Sequence, residues 1–174
     1  MNANDTLPRH IAAQPLSHVG FAPFGDVIMP GGQNGTPINE RTAQRFDDLT
    51  VLDLETEGGS ACLTVFRTQG ATPGGTIPLR AFERHCLGSQ TFVPLGQGRC
   101  LAVMTTGEQT PDESTIQAFI VEPGQGITVR RGVWHHPLIT LGAADVLVLE
   151  RKAARPDCEL RPLSEPVVVT IPEK

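Results

Sequence analysis

A chain of 174 residues is long enough for one domain with a sizeable core, and 39% apolar with 19% charged residues is the composition of a folded soluble protein, not a disordered one. A net charge of −5 without any long Lys/Arg cluster argues against a nucleic-acid partner, and no stretch approaches the roughly 18–20 apolar residues of a membrane-spanning helix. The 18 glycines and 15 prolines are spread along the chain and punctuate many short elements.

In chain order, Met1 to Gln14 lack the apolar run of a signal peptide. Residues 1–15 read as a loose N-terminal tail and 16–174 as a single domain, with a cytoplasmic location expected. Helical pattern is scarce: Asn39 to Leu54 is the best place for a turn or two, and Asp112 to Ala118 for one more. Strand-like runs follow at Cys62 to Arg67, Gln90 to Leu95, Cys100 to Met104, Ala118 to Val121, Gly126 to Arg130, Asp145 to Glu150 and Pro166 to Ile171. Each is short, rich in β-branched or aromatic residues and bounded by Gly or Pro, which predicts a mainly β sandwich or barrel with few short helices. A closed barrel protects its edges and offers a side-chain-lined mouth for a ligand. Cys62, Cys86, Cys100 and Cys158 form no C-x-x-C pair, so four reduced thiols in or near strands are expected.

Two segments concentrate the polar chemistry. In Phe82 to Pro94, an extended strand puts Glu83 and His85 on one face and Arg84 on the other, and a turn at Leu87-Gly88 can bring Gln90 back to the first face. In Gly126 to Pro137, the same alternation allows only one of His135 and His136 to enter a barrel. Cys86 beside His85 suggests a nucleophile dyad, but strand neighbours face apart. Trp134 reads as packing, and His10 and His18 as ordinary polar residues.

Carboxylate-x-His, a turn, Gln, then Pro and Gly resembles the first cupin motif, with Glu83 where many cupins place a His. Gly132-x-x-His135 resembles the second. The resemblance implies a cupin-like double-stranded β-barrel of jelly-roll type, with Glu83, His85, Gln90 and His135 as metal ligands. A divalent transition metal such as nickel suits two imidazoles, with Gln as the weakest ligand.

The wording around these motifs is similar to the ureidoglycolate lyase family. Glu83-Arg84-His85-x-Leu87-Gly88-Ser89-Gln90-x-Phe92-x-Pro94 and Val133 to Leu138 carry the likeness. Phe24 to Ile28, Ile38-Asn39, Arg45-Phe46, Asp48-Leu49, Pro111-Asp112, Ser114-Thr115, Ala118-Phe119 and the acidic residue before Arg151 extend it over about Leu16 to Arg151. Cys86 stands where the family usually has Pro, and Asp47 where it usually has His.

This resemblance implies cleavage of (S)-ureidoglycolate to glyoxylate and urea in allantoin and purine degradation, by a carbon–nitrogen lyase of the amidine-lyase class. It needs no organic cofactor, which agrees with the lack of a G-x-G-x-x-G or P-loop. Glu83, His85 and His135 are the implied catalytic residues. Gln90 and Asn39 are implied substrate contacts, and so are Arg84, Arg131 and Arg151, one of which should meet the substrate carboxylate through its guanidinium fork. Which group is acid and which is base stays open. A homodimer is expected, since cupins commonly pair and a bare edge strand favours pairing. Two other readings stay open: another metal-dependent cupin enzyme, such as an isomerase or dioxygenase, and a non-catalytic cupin that binds a small acid.

Overall fold

The computed structural model describes residues 7–31, 35–71 and 75–172. Its strands are β1 (Arg9–Ala12), β2 (Gln14–Pro15), β3 (Gly25–Ile28), β4 (Thr36–Ile38), β5 (Ala43–Arg45), β6 (Ser60–Thr68), β7 (Gly75–His85), β8 (Gln90–Pro94), β9 (Cys100–Thr105), β10 (Gln117–Val121), β11 (Gly126–Val129), β12 (Trp134–His135), β13 (Ile139–Thr140), β14 (Ala144–Lys152) and β15 (Cys158–Ile171). One short helix, α1 (His18–Phe21), follows β2, capped by the Ser17 hydroxyl, which accepts from the Gly20 amide at 3.1 Å. Single 3-10 turns occupy Asn39–Arg41, Thr56–Gly58 and Glu113–Thr115. The first and last fall where helical pattern was expected; the rest of 42–54 is the strand β5 and irregular chain, because its apolar residues lack a helical period.

Two sheets face each other as a double-stranded, barrel-like β fold. The larger runs β1-β15-β7-β12-β9-β10-β2, with β13 also paired to β9; the smaller runs β3-β11-β8-β14-β6. β4 and β5 form a separate hairpin. All six residues of β9 are buried, which explains its continuous apolar sequence. Cys100, Ala102 and Met104 join Phe92, Val129, Val146 and Val148 in the core between the sheets. Leu101 and Val103 join Trp134, Phe82, Leu79 and Val167 in a second core on the other face of the larger sheet. At one end of the first core Phe21, Phe24 and Phe119 meet edge to face, with ring centroids 5.5–6.1 Å apart.

The expected loose tail over residues 1–15 is corrected from Arg9 onward. β1 pairs in parallel with Val167 to Thr170 of β15, β2 pairs with Phe119 and Ile120 of β10, and Ala13 between them is buried. The partners lie more than a hundred residues away, so no local signal announces these strands. Residues 1–6 lie outside the described ones. All four cysteines are free thiols. No described helix is long and apolar enough to cross a membrane.

One irregularity places the functional side chains. The β7–β15 ladder shifts register between Pro162 and Val167, where Pro162 and Pro166 have no N–H to give to the ladder. On β7, Ile77 and Leu79 lie before the shift and Phe82 after it, yet all three pack in the outer core. The alternation therefore changes parity near residues 80–81, and Glu83 and His85 face the barrel interior.

The β3–β11 pairing is tight enough to test. A Cβ built on Gly25 would sit 1.8 Å from the Thr128 carbonyl oxygen, a backbone atom that cannot turn aside. Gly25→Ala is expected to destabilise the fold by ~3 kcal/mol through overpacking. Urea denaturation measures it, and a change under about 0.5 kcal/mol would show this pairing to be looser than described.

Candidate metal centre

Three elements of the larger sheet and two of the smaller build one interior cluster. His135 of β12 lies opposite both Glu83 of β7 and Met104 of β9. Gln90 of β8 lies opposite Glu150 of β14. The turn into β12 is set by Gly132, which takes a positive φ of 78° that side chains rarely adopt, and whose amide donates to the His85 carbonyl at 2.8 Å. This pins the start of β12 beside the end of β7.

The ligand atoms of Glu83, His85 and His135 all lie within 4.8 Å of one another. The two imidazoles stack with centroids 5.7 Å apart. His135 Nε2 is 3.2 Å from Gln90 Oε1 and 3.6 Å from Glu83 Oε1. Gln90 is oriented by donating its amide to Glu150 Oε2 at 2.8 Å, which aims its oxygen at His135.

The donor and acceptor pattern fits a cation. His135 Nδ1 lies 3.1 Å from the Val133 carbonyl; with the proton there, Nε2 presents a lone pair. Beside that lone pair stand two more acceptors, Gln90 Oε1 and Glu83 Oε1. His85 repeats the pattern: Nδ1 faces Asp157 Oδ1 at 3.4 Å, while its buried Nε2 has no hydrogen-bond partner. Buried lone pairs that converge without a donor are costly unless a cation joins them. Two imidazoles, a carboxylate and an amide oxygen form a donor set suited to a first-row divalent metal.

The electrostatics point the same way. Burial drives His135 down to about 4, only partly opposed by the Val133 carbonyl and reinforced by His85 and His136, so its imidazole is neutral and available as a ligand at neutral pH. Burial also raises the Glu83 carboxyl above its ordinary range, with Glu150 adding to the rise and His85 and the Cys158 thiol opposing it. In metal-free protein, His135 contributes stability that is full above about pH 6.5 and is lost as pH falls toward about 4, on the order of 3 kcal/mol. Glu83 acts with the opposite sign, its contribution full below the carboxylate range and lost as pH rises through its raised pKa. The expected result is that His135→Gln flattens the acid loss of stability between pH 6.5 and 4, measured by urea denaturation at several pH values. An unchanged slope would contradict a buried neutral His135.

The family pattern described as ureidoglycolate lyase matches residues 8–170. The chain belongs to the ureidoglycolate lyase family. A ureidoglycolate lyase from Burkholderia cepacia is 39% identical over 157 residues, covering 88% of this chain and 86% of that protein. One from Burkholderia mallei (strain NCTC 10229) is 42% identical over 142 residues, covering 81% and 82%. One from Pseudomonas fluorescens (strain Pf0-1) is 35% identical over 152 residues, covering 87% and 90%. Among solved structures, RmlC from Streptococcus suis in complex with dTDP-D-xylose aligns at 11% identity and TM-score 0.37, over 56% of this chain and 45% of that one. Lactobacillus farciminis oxalate decarboxylase, in a formate complex, aligns at 13% and 0.39, over 59% and 27%.

Not every residue that the family resemblance suggested reaches the cluster. Glu83, His85, Gln90 and His135 do. Arg84 faces the other way: its guanidinium lies 4.5 Å over the Trp134 ring, pairs with Glu159 at 2.8 Å and donates to the Glu108 carbonyl. Strand alternation forces this once Glu83 and His85 point inward, so Arg84 packs on the outer face, away from the interior cluster. Arg131 is held by Asp53 and Thr56, each at 3.2 Å. Arg151 donates to the Thr56 carbonyl at 2.8 Å and lies against Gly59 and Gly88, which ties down the 53–59 loop. Asn39 is exposed in the β4–β5 turn, in a hairpin apart from both sheets. None of these three stands in the interior cluster.

The two departures from the family wording also lie off the cluster. Asp47 is exposed and ion-paired to Arg45 at 2.6 Å. The Cys86 thiol lies beside Glu159, on the Arg84 face, and burial raises its pKa, so it is no activated nucleophile. Three residues at the cluster carried no assigned role in the sequence reading. Glu150 orients Gln90, Asp157 faces His85, and the Cys158 thiol donates to Glu83 Oε2 at 3.8 Å.

Proposed function

We propose that the chain is a ureidoglycolate lyase, a carbon–nitrogen lyase of the amidine-lyase class that splits ureidoglycolate into glyoxylate and urea. The observation that carries this reading is the convergence of Glu83, His85, Gln90 and His135 on one interior point in a chain of this family. We further propose that it works in the cytoplasm, as a homodimer. The edge strand β6 supports pairing, since it exposes Leu63 and Val65 beside a ladder edge that no strand among the described residues covers.

Glu83, His85, Gln90 and His135 would hold a divalent transition metal such as nickel. Bound there, it would supply positive charge for the carboxylate and hydroxyl oxygens of the substrate. The remaining chemistry falls to the protein. The reacting carbon carries a hydroxyl, a carboxylate and a urea nitrogen. Cleavage moves the hydroxyl proton away as the C=O bond forms, and sends the C–N electron pair to nitrogen, which takes up a proton. One carboxylate can do both transfers, and Glu83, the carboxylate of the cluster, is placed to accept a proton and return it at neutral pH. His135 is neutral in this range and cannot be the proton source.

No oxidant, water or covalent intermediate is needed. The testing experiment is urea release from racemic ureidoglycolate by purified protein. Turnover supports the lyase reading; binding without turnover would favour a small-acid-binding cupin.

A further inference from the structure

Asp157 stands at the join between the two halves of the cluster. The segment from Ala153 to Asp157 links β14, which carries Glu150, to β15, which pairs along β7 beside His85. Asp157 grips the 85–87 turn three times. Its carbonyl accepts from the Cys86 amide at 3.2 Å, its Oδ2 accepts from the Leu87 amide at 3.0 Å, and its Oδ1 lies 3.4 Å from His85 Nδ1. Its side chain is 9% exposed.

A carboxylate can only accept, so at neutral imidazole the His85 proton must sit on Nδ1. That leaves Nε2 with a bare lone pair, and this is the buried nitrogen without a partner. We propose that Asp157 is a positioning residue that sets the His85 tautomer and so makes Nε2 a metal ligand. The inference deepens the metal-dependent lyase reading above and rests on it for its functional consequence. A ligating imidazole is ordinarily held this way through its other ring nitrogen, and losing the holder typically costs about 10–100-fold in metal affinity or activity.

Asp157→Asn separates this role from simple packing. The Asn oxygen must stay on the Leu87 amide, because a backbone N–H cannot turn round and an unmet one is costly. The Asn amide then donates to His85 Nδ1, which moves the imidazole proton to Nε2 and blocks the ligand atom. The volume of the side chain is unchanged.

The test uses full-length, metal-stripped protein at about pH 8.5, above the ordinary imidazole range. Nitrogen-15 NMR reads the His85 tautomer, assigned by the loss of its signals in His85→Gln, and calorimetric titration with Ni2+ reads the affinity. The expected result is the Nδ1–H tautomer in the parent chain, the Nε2–H tautomer in Asp157→Asn, and a tenfold to hundredfold weaker Ni2+ affinity in the variant. An Nε2–H tautomer in the parent chain overturns the proposal without any variant. So does an Asp157→Asn protein that keeps Nδ1–H or binds Ni2+ as the parent does. Neither reading needs substrate, so a chain inert toward ureidoglycolate would sink the substrate assignment and leave this result standing.

Discussion

His135→Ala is expected to lower urea release by about a hundredfold or more, while His136→Ala stays within a few-fold of the parent. The two neighbours differ because a strand sends them to opposite faces. His135 is buried at the cluster, its Nε2 among Glu83 and Gln90. His136 has both ring nitrogens engaged elsewhere: Nδ1 donates to the Pro137 carbonyl at 2.8 Å, and Nε2 accepts from the Arg80 amide at 3.3 Å. Burial lowers its pKa as well, so it also is neutral. Removing His136 therefore costs stability, about 1–3 kcal/mol for the orphaned amide and lost packing, and not chemistry. Rates are compared at a temperature where both variants remain folded by circular dichroism. A dead His136→Ala beside an active His135→Ala would shift the register of β12 by one residue and turn every side chain on it to the other face.

Glu83→Gln is expected to cost about as much again, a hundredfold or more in kcat, for two separable reasons. The amide keeps the shape but removes the charge that balances a divalent cation, and it cannot accept and return a proton. Metal affinity and turnover at saturating metal report these separately. If saturating Ni2+ restored full activity to Glu83→Gln, Glu83 would be a ligand only, and the proton-transfer role assigned to it would fall. Cys158→Ser offers a control at the same carboxylate, since its thiol donates only a long contact to Glu83 Oε2. A serine hydroxyl can replace that contact, and activity within a few-fold of the parent is expected.

Much of the interior cluster was legible because strand alternation is strict. Glu83 and His85 sharing a face, Gln90 returning after the Leu87-Gly88 turn, and a single inward His in the His135-His136 pair all follow from a period of two. Arg84 was legible by the same rule, which set it on the opposite face; the family wording drew it toward the substrate, and the geometry favours the rule. What stayed hidden is long-range. Asp157 and Cys158 reach His85 and Glu83 from more than seventy positions away, through the register of β15 on β7. The β7 strand itself was hidden in part, because a bulge opposite Pro162 and Pro166 breaks its alternation midway. The N-terminal strands have two-to-four-residue sequences with little character of their own and take their conformation from the strands they join.

We propose that a metal-holding cluster in this barrel breaks the carbon–nitrogen bond of ureidoglycolate and releases urea intact. The most direct test of this is the product balance of the purified protein, stripped of metal and then given Ni2+, acting on racemic ureidoglycolate. The expected result is urea and glyoxylate in equal amounts, no ammonium, no more than half of the racemate consumed because only the (S) enantiomer is cleaved, and negligible turnover before the metal is restored. Ammonium in place of urea would mean hydrolysis of the ureido group and would contradict the lyase chemistry; equal turnover with and without the metal would contradict the role given to Glu83, His85, Gln90 and His135.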